Sequence, residues 1–247
     1  MSKISSYTDT NKRGDNQDKY LIVPKIIGND KIIFLAVFDG MGGTDKGDIA
    51  SGIAKAFTEK WIQNEYPNLP NDVNVVRESI SMLIIKINEA VLEIISKEGI
   101  STGSTMAFLI VRNGEYIAAN IGDSRIYKFG SKSLQITKDQ TQAQMEVDRG
   151  NLTPEEAKTD KRAHKLLQCL GMDDDVPNPD FFKGKYKNGD YFLLCSDGMY
   201  NTMDLEEIEE IVMYKDYGTK DKLVMLANKA KDNKEKDNIT GVLAHIC

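Results

Sequence analysis

At 247 residues with a formal charge of −6, the chain is long enough for a sizeable core and lacks the basic surplus that nucleic-acid binding needs. Its three cysteines, Cys169, Cys195 and Cys247, form no C-x-x-C pair, which argues against a disulfide framework or zinc knuckle and suits a reducing cytoplasm. No apolar run approaches the roughly 20 residues of a membrane span, and the N-terminus has no signal-peptide core; the expectation is a cytoplasmic protein without a membrane segment, a monomer by default.

Residues 1–18 are polar. Two strands follow, Lys19–Ile27 and Lys31–Phe38, joined across the hairpin signal Gly28-Asn29-Asp30. From Ile32 to Phe38 the second is apolar without alternation, so both of its faces are expected to be covered. It runs into Asp39, then Gly40, Met41, Gly42 and Gly43, where the backbone can turn tightly and approach a ligand. An ionised carboxylate at the end of a buried strand is costly unless positive charge meets it.

Asp45–Glu65 reads as a helix closed by Pro67 and Pro70. A second, from about Asp72 to Lys97, carries the stripe Val76, Ile80, Leu83, Ile84, Ile87, Val91, Ile94 and stops at Gly99. Gly103–Ile136 reads as an antiparallel meander: Ser104–Val111, Glu115–Ile121, Arg125–Phe129, Leu134–Ile136. Residues 139–170 look irregular and helical, with a helix start at Thr153-Pro154-Glu155-Glu156. Strands Phe181–Tyr186 and Tyr191–Cys195, helices Leu205–Met213 and Lys220–Lys231, and strand Ile239–Ile246 complete the chain. Runs of strands separated by helix pairs indicate α+β rather than a doubly wound parallel sheet, and no linker divides residues 1–247.

The strand that delivers Asp39 has counterparts. Tyr191–Ser196 runs into Asp197-Gly198, and Tyr116–Ile121 leads to Gly122-Asp123-Ser124-Arg125; Asp237 precedes the last strand and Asp18 precedes Lys19. Five acids at strand ends can converge on one edge of a sheet. Converging carboxylates repel one another and raise each other's pKa, which implies cations between them; oxygen-only ligands favour magnesium, manganese or calcium over zinc. The reading requires Asp39, Asp197 and Asp237 to stand together and not be tied up by cationic side chains.

In order and spacing, Arg13-x-x-Asn16-x-Asp18, Phe38-Asp39-Gly40-Met41-Gly42-Gly43, Gly47-Asp48-Ile49-Ala50-Ser51, Gly103-Ser104-Thr105, Asn120 through Tyr127, Ser196-Asp197-Gly198 and Asp237-Asn238-Ile239-Thr240 resemble the 2C-type metal-dependent protein serine/threonine phosphatases, in particular their compact bacterial members. The resemblance implies a four-layer αββα sandwich, two mostly antiparallel sheets each backed by a helix pair. It implies that Asp39 bridges two manganese or magnesium ions, that Gly40 lends its carbonyl to one, that Asp197 and Asp237 complete the other, and that Asp18 holds coordinated waters. Asp123 with Asp197 would form a third metal site, and Arg13 would clamp the substrate phosphate, where a planar fork suits two oxygens.

The implied reaction is hydrolysis of phosphoserine and phosphothreonine by a hydroxide bridging two metals, with no phosphoenzyme. The implied partners are phosphorylated proteins, substrates of a Ser/Thr kinase or the kinase itself. Many relatives carry a His after the metal-binding Asp-Gly as general acid; here Met41 takes that place. His164 is the side chain considered instead, although a lone His on a helix is more often structural or solvated. The flap segment, residues 139–171, departs from the family pattern at Asp160-Lys161-Arg162-Ala163-His164. Arg125 reads as one half of a structural ion pair, Cys195 and Trp61 as core. A non-enzymatic phosphoprotein-binding relative is the alternative, disfavoured because Asp39, Asp197 and Asp237 are all present; a two-metal nuclease or small-phosphomonoester hydrolase fits the acidic charge and the resemblance less well.

Overall fold

The computed structural model describes residues 2–41, 46–172 and 176–247. Gly42, Gly43 and Asp45, expected in the glycine turn and at the start of the first helix, lie outside the described residues. Strands β1 (Lys3–Asp9), β2 (Lys19–Ile27), β3 (Asp30–Phe38) and the two-residue β4 (Gly40–Met41) lead into helices α1 (Gly47–Asn64) and α2 (Val73–Glu98). Then come β5 (Gly103–Ser104), β6 (Met106–Arg112), β7 (Glu115–Ile121), β8 (Arg125–Phe129), β9 (Leu134–Gln135), the short helices α3 (Gln142–Asp148) and α4 (Pro154–Thr159), β10 (Asp180–Lys185) and β11 (Tyr191–Cys195). Helices α5 (Asp197–Tyr200), α6 (Leu205–Met213) and α7 (Thr219–Asp232) precede β12 (Ile239–His245).

Two five-stranded antiparallel sheets form, in the orders β1-β12-β11-β8-β9 and β10-β7-β6-β3-β2. Three apolar clusters fill the three spaces between four layers. Leu35, Val37, Leu109, Phe192, Leu194 and Val242 meet between the sheets. Phe34, Phe38, Phe108, Trp61, Ile80 and Ile87 join one sheet to α1 and α2, and Leu193, Cys195, Leu226 and Leu243 join the other to the C-terminal helices. Successive residues of β3, β6, β11 and β12 therefore enter different cores, which is why these strands are apolar on both faces. This is the α+β, four-layer αββα sandwich expected from the sequence.

Helix α2 forms as its stripe predicts. Asp72 accepts hydrogen bonds from the N–H groups of Asn74 and Val75 at 2.7 and 3.3 Å, and Gly99 ends the helix in the left-handed region at φ 64°. Thr153 and Glu156 form the reciprocal cap expected at the start of α4.

Three expectations need correction. The polar N-terminus contains β1, an edge strand whose residues pair with β12 from Lys3↔His245 to Asp9↔Ile239; an edge strand that buries little has no apolar run to reveal it. The meander is split: β6 and β7 belong to one sheet, β8 and β9 to the other, because the chain crosses between sheets at Gly122-Asp123-Ser124. The strand expected from Ser104 is also interrupted at Thr105, which separates β5 from β6.

The register fixes the place of each acid. Lys19 pairs with Phe38, so Asp18 and Asp39 emerge together. Cys195 pairs with Gly241, which sets Asp197 beside Asp237. Strand β6 lies between β3 and β7, with Ala107 opposite Val37 and Met106 opposite Ile121, so Asp39 and Asp123 leave the same end of the sheet.

Candidate active site

At that end of the sandwich a cleft of about 540 Å³ is lined by Asp39, Gly40, Asp123, Asp197, Asp237 and Arg13. Asp18 lies just beneath, 5% exposed, with its Oδ2 accepting a hydrogen bond from the Ser196 hydroxyl at 2.8 Å. Two glycines permit this crowding. A Cβ on Gly40 would overlap the carbonyls of Gly47 and Gln17, and one on Gly198 would overlap the carbonyl of Asn238. Asn238 staples the segment carrying Arg13: its Oδ1 accepts from Gln17 N–H at 2.9 Å, and its amide donates to the carbonyls of Thr10 and Asp15 at 3.0 Å each.

The electrostatics are those of uncompensated negative charge. Burial, then repulsion from Asp18, Asp197, Asp123 and Asp237, holds the Asp39 carboxyl well above the usual range. Asp197 is raised well above it too, by burial and then by Asp123, Asp237 and Asp18. Burial pushes Asp18 up to about 6 against its hydrogen bonds, and burial with repulsion from Asp139 pushes Asp123 up to about 7.

The structure thus gathers Asp18, Asp39, Asp123, Asp197 and Asp237 with Arg13 and Gly40. One expectation is corrected at Asp237. Both of its oxygens are bonded to a cation, Arg13, whose Nε and Nη2 donate at 3.0 and 2.6 Å. The planar fork expected on a phosphate is bonded to the Asp237 carboxylate, whose pair of oxygens it also matches. Among the described residues, no group of three or more His, Cys, Asp or Glu side chains is arranged to hold a metal ion. The donors are nonetheless all oxygen and short of positive charge. They fit hard divalent cations that take one or two carboxylates each and complete their shells with water.

His164 reaches the cleft, its Nδ1 3.8 Å from Asp197 Oδ2 with the side chain 63% exposed; it lies in a turn after α4 rather than on a helix. Residues 139–171 close on themselves where Thr141 pairs with Leu166, and join the rest of the fold where Leu170 pairs with Ser104. Arg125 makes the expected ion pair, donating Nε and Nη2 to Asp139 at 2.9 and 2.6 Å, and its guanidinium lies 3.7 Å from the centre of the Tyr200 ring. Cys195 and Trp61 are core residues, 0 and 1% exposed. The sequence reading assigned no role to Ser196, Asn238 or Gln17; the only signal for the first two was their position beside Asp197 and Asp237.

The family model "Protein phosphatase 2C" matches residues 11–239. The chain is 33% identical over 245 residues to the protein phosphatase PhpP of Streptococcus pneumoniae, covering 98% of this chain and 96% of that one. Among solved structures, the serine/threonine phosphatase Stp1 from Staphylococcus aureus superposes with a TM-score of 0.89 at 28% identity, covering all of this chain and 96% of that one. The catalytic domain of the serine/threonine protein phosphatase PstP, in complex with two manganese ions, superposes with a TM-score of 0.81 at 25% identity, covering 99 and 98% of the two chains.

Proposed function

The chain belongs to the protein phosphatase 2C family, and from that premise we propose that its acidic cleft hydrolyses phosphoserine and phosphothreonine in proteins. The observation that carries the reading is the group of five aspartates at one end of the sandwich, four of them, Asp18, Asp39, Asp123 and Asp197, held above the usual carboxylate range by burial and by repulsion from neighbouring acids. Divalent cations, manganese or magnesium, supply an acidified water as the attacking group and offset the charge of the phosphoryl oxygens.

The chain's own residues hold and orient. Asp39, which faces the charges of four other acids, would hold cations together with the Gly40 carbonyl. Asp197 and Asp237 would hold a second, and Asp123 with Asp197 a third. Asp18, fixed by Ser196, orders water in the coordination shell. Arg13, bonded to Asp237 here, would be free to take two phosphoryl oxygens with its fork were Asp237 to serve a cation instead. The intact acids also count against a non-enzymatic role.

Residues 1–247 act as one catalytic unit in this reading, with the flap over its cleft. The substrates are phosphorylated proteins, those modified by a Ser/Thr kinase or the kinase itself. No helix among the described residues is long and apolar enough to cross a membrane, and the three free cysteines suit a reducing cytoplasm.

The test is hydrolysis of p-nitrophenyl phosphate and a phosphothreonine peptide by protein stripped with EDTA and resupplied with manganese. Turnover should vanish on stripping, return with the ion, and be absent in Asp39→Asn at every manganese concentration. Equal rates with and without the ion would overturn the reading.

A further inference from the structure

The motif Gly103-Ser104-Thr105 has no part in the chemistry above, yet Thr105 lies between the two strand ends that deliver Asp39 and Asp123. It is fully buried, as is Ser124. Its N–H donates to the Asp39 carbonyl at 2.9 Å, and its hydroxyl accepts from the Asp39 N–H at 3.0 Å. The same hydroxyl is 2.6 Å from the hydroxyl of Ser124, the residue after Asp123. The methyl side is engaged as well. Gly122 is in the left-handed region at φ 91°, and a Cβ there would stand 2.7 Å from the Thr105 Cγ2, so the chain before Asp123 is seated directly on this threonine.

We propose that Thr105 is a positioning residue that sets Asp39 against Asp123, and thereby the spacing of the cation sites they serve. The proposal rests on the reading of these aspartates as cation ligands. Residue 105 interrupts the β5–β6 strand so that its polar groups turn to the neighbouring strand ends instead of continuing a ladder. Its N–H and its hydroxyl serve Asp39 and the turn carrying Asp123, while its carbonyl accepts from the Ser104 hydroxyl at 2.8 Å; groups that hold first-sphere ligands in place govern cation affinity nearly as strongly as the ligands do.

The experiment compares Thr105→Val, which keeps the shape and loses the hydroxyl, with Thr105→Ser, which keeps the hydroxyl. Manganese binding to metal-stripped protein is measured by calorimetry and by the electron paramagnetic resonance signal of free ion, with the melting temperature of the stripped protein recorded alongside. Thr105→Val should weaken manganese binding by about tenfold or more, whereas Thr105→Ser should stay within about twofold of wild type. Assayed for turnover, Thr105→Val should need more manganese for half-maximal rate, with the KM for p-nitrophenyl phosphate little changed at saturating ion.

Unaltered affinity in Thr105→Val, or an equal loss in Thr105→Ser, would overturn the proposal, the second because it would assign the effect to packing. If Thr105→Val does not fold, Ser124→Ala decides. That substitution removes the hydroxyl's partner on the Asp123 side, leaves both bonds to Asp39, and should still weaken binding; wild-type affinity in it would overturn the proposal. Absence of manganese binding by the wild-type protein would overturn the cation reading and this inference with it, whereas normal wild-type binding with an unaffected Thr105→Val would overturn only the latter.

Discussion

Asp123 shows at the scale of a single residue how the cleft trades stability for chemistry. Its carboxyl is pushed up to about 7 from an unfolded value near 3.8, so the folded protein prefers it protonated. The stability it contributes is fully present below about pH 3.8 and is lost as pH rises through about 7. Asp123→Asn mimics the protonated form. In EDTA the variant should melt a few degrees above wild type at pH 8, with the gap closing toward pH 4, as followed by circular dichroism. A variant that melts lower at pH 8 would mean that the Asp123 charge is compensated without added cations. The acids themselves were legible in the sequence, because each follows or precedes an apolar strand. The Arg13–Asp237 pair was not: nothing in the spacing of two residues 224 apart says that one will grip the other.

Among the elements, the shortest are the ones that bring the acids together. Helix α5 has four residues, too few for any periodicity to announce it, yet it carries Asp197 at its first position. It can sit against Asp237-Asn238 only because residue 198 has no side chain. Gly198→Ala should therefore lower kcat/KM far more than its effect on folding stability accounts for, read by comparing activity at saturating manganese with a urea unfolding curve. A fully active Gly198→Ala protein would show that the close approach to Asn238 is not needed. The long elements were readable because α2 repeats its apolar stripe over about five turns, from Val76 to Ile94, and because β3, β6, β11 and β12 are covered on both faces. Their assignment to sheets was not, since alternation tells which side of a strand is buried and not which strand lies beside it; hence the meander was expected where the chain changes sheets.

For the whole molecule, the layered arrangement means that no single stretch of sequence builds the catalytic edge: Asp18, Asp39, Asp123, Asp197 and Asp237 come from five separate strand junctions. One sheet also depends on the most distant pairing available. Among the described residues strand β1 pairs with β12 alone, and β12 in turn separates it from β11. During synthesis, which proceeds from the N-terminus, the first strand must wait for residues 239–245 before it has anything to bond to, and pairings of such long range form slowly. Ribosome-bound chains arrested before Ile239 should remain open to limited proteolysis within residues 3–9 and show no hydrolysis, whereas full-length chains released from the ribosome should resist cleavage there. A growing polypeptide therefore gains its ability to remove phosphate only once residues 239–245 have been made and have left the ribosome.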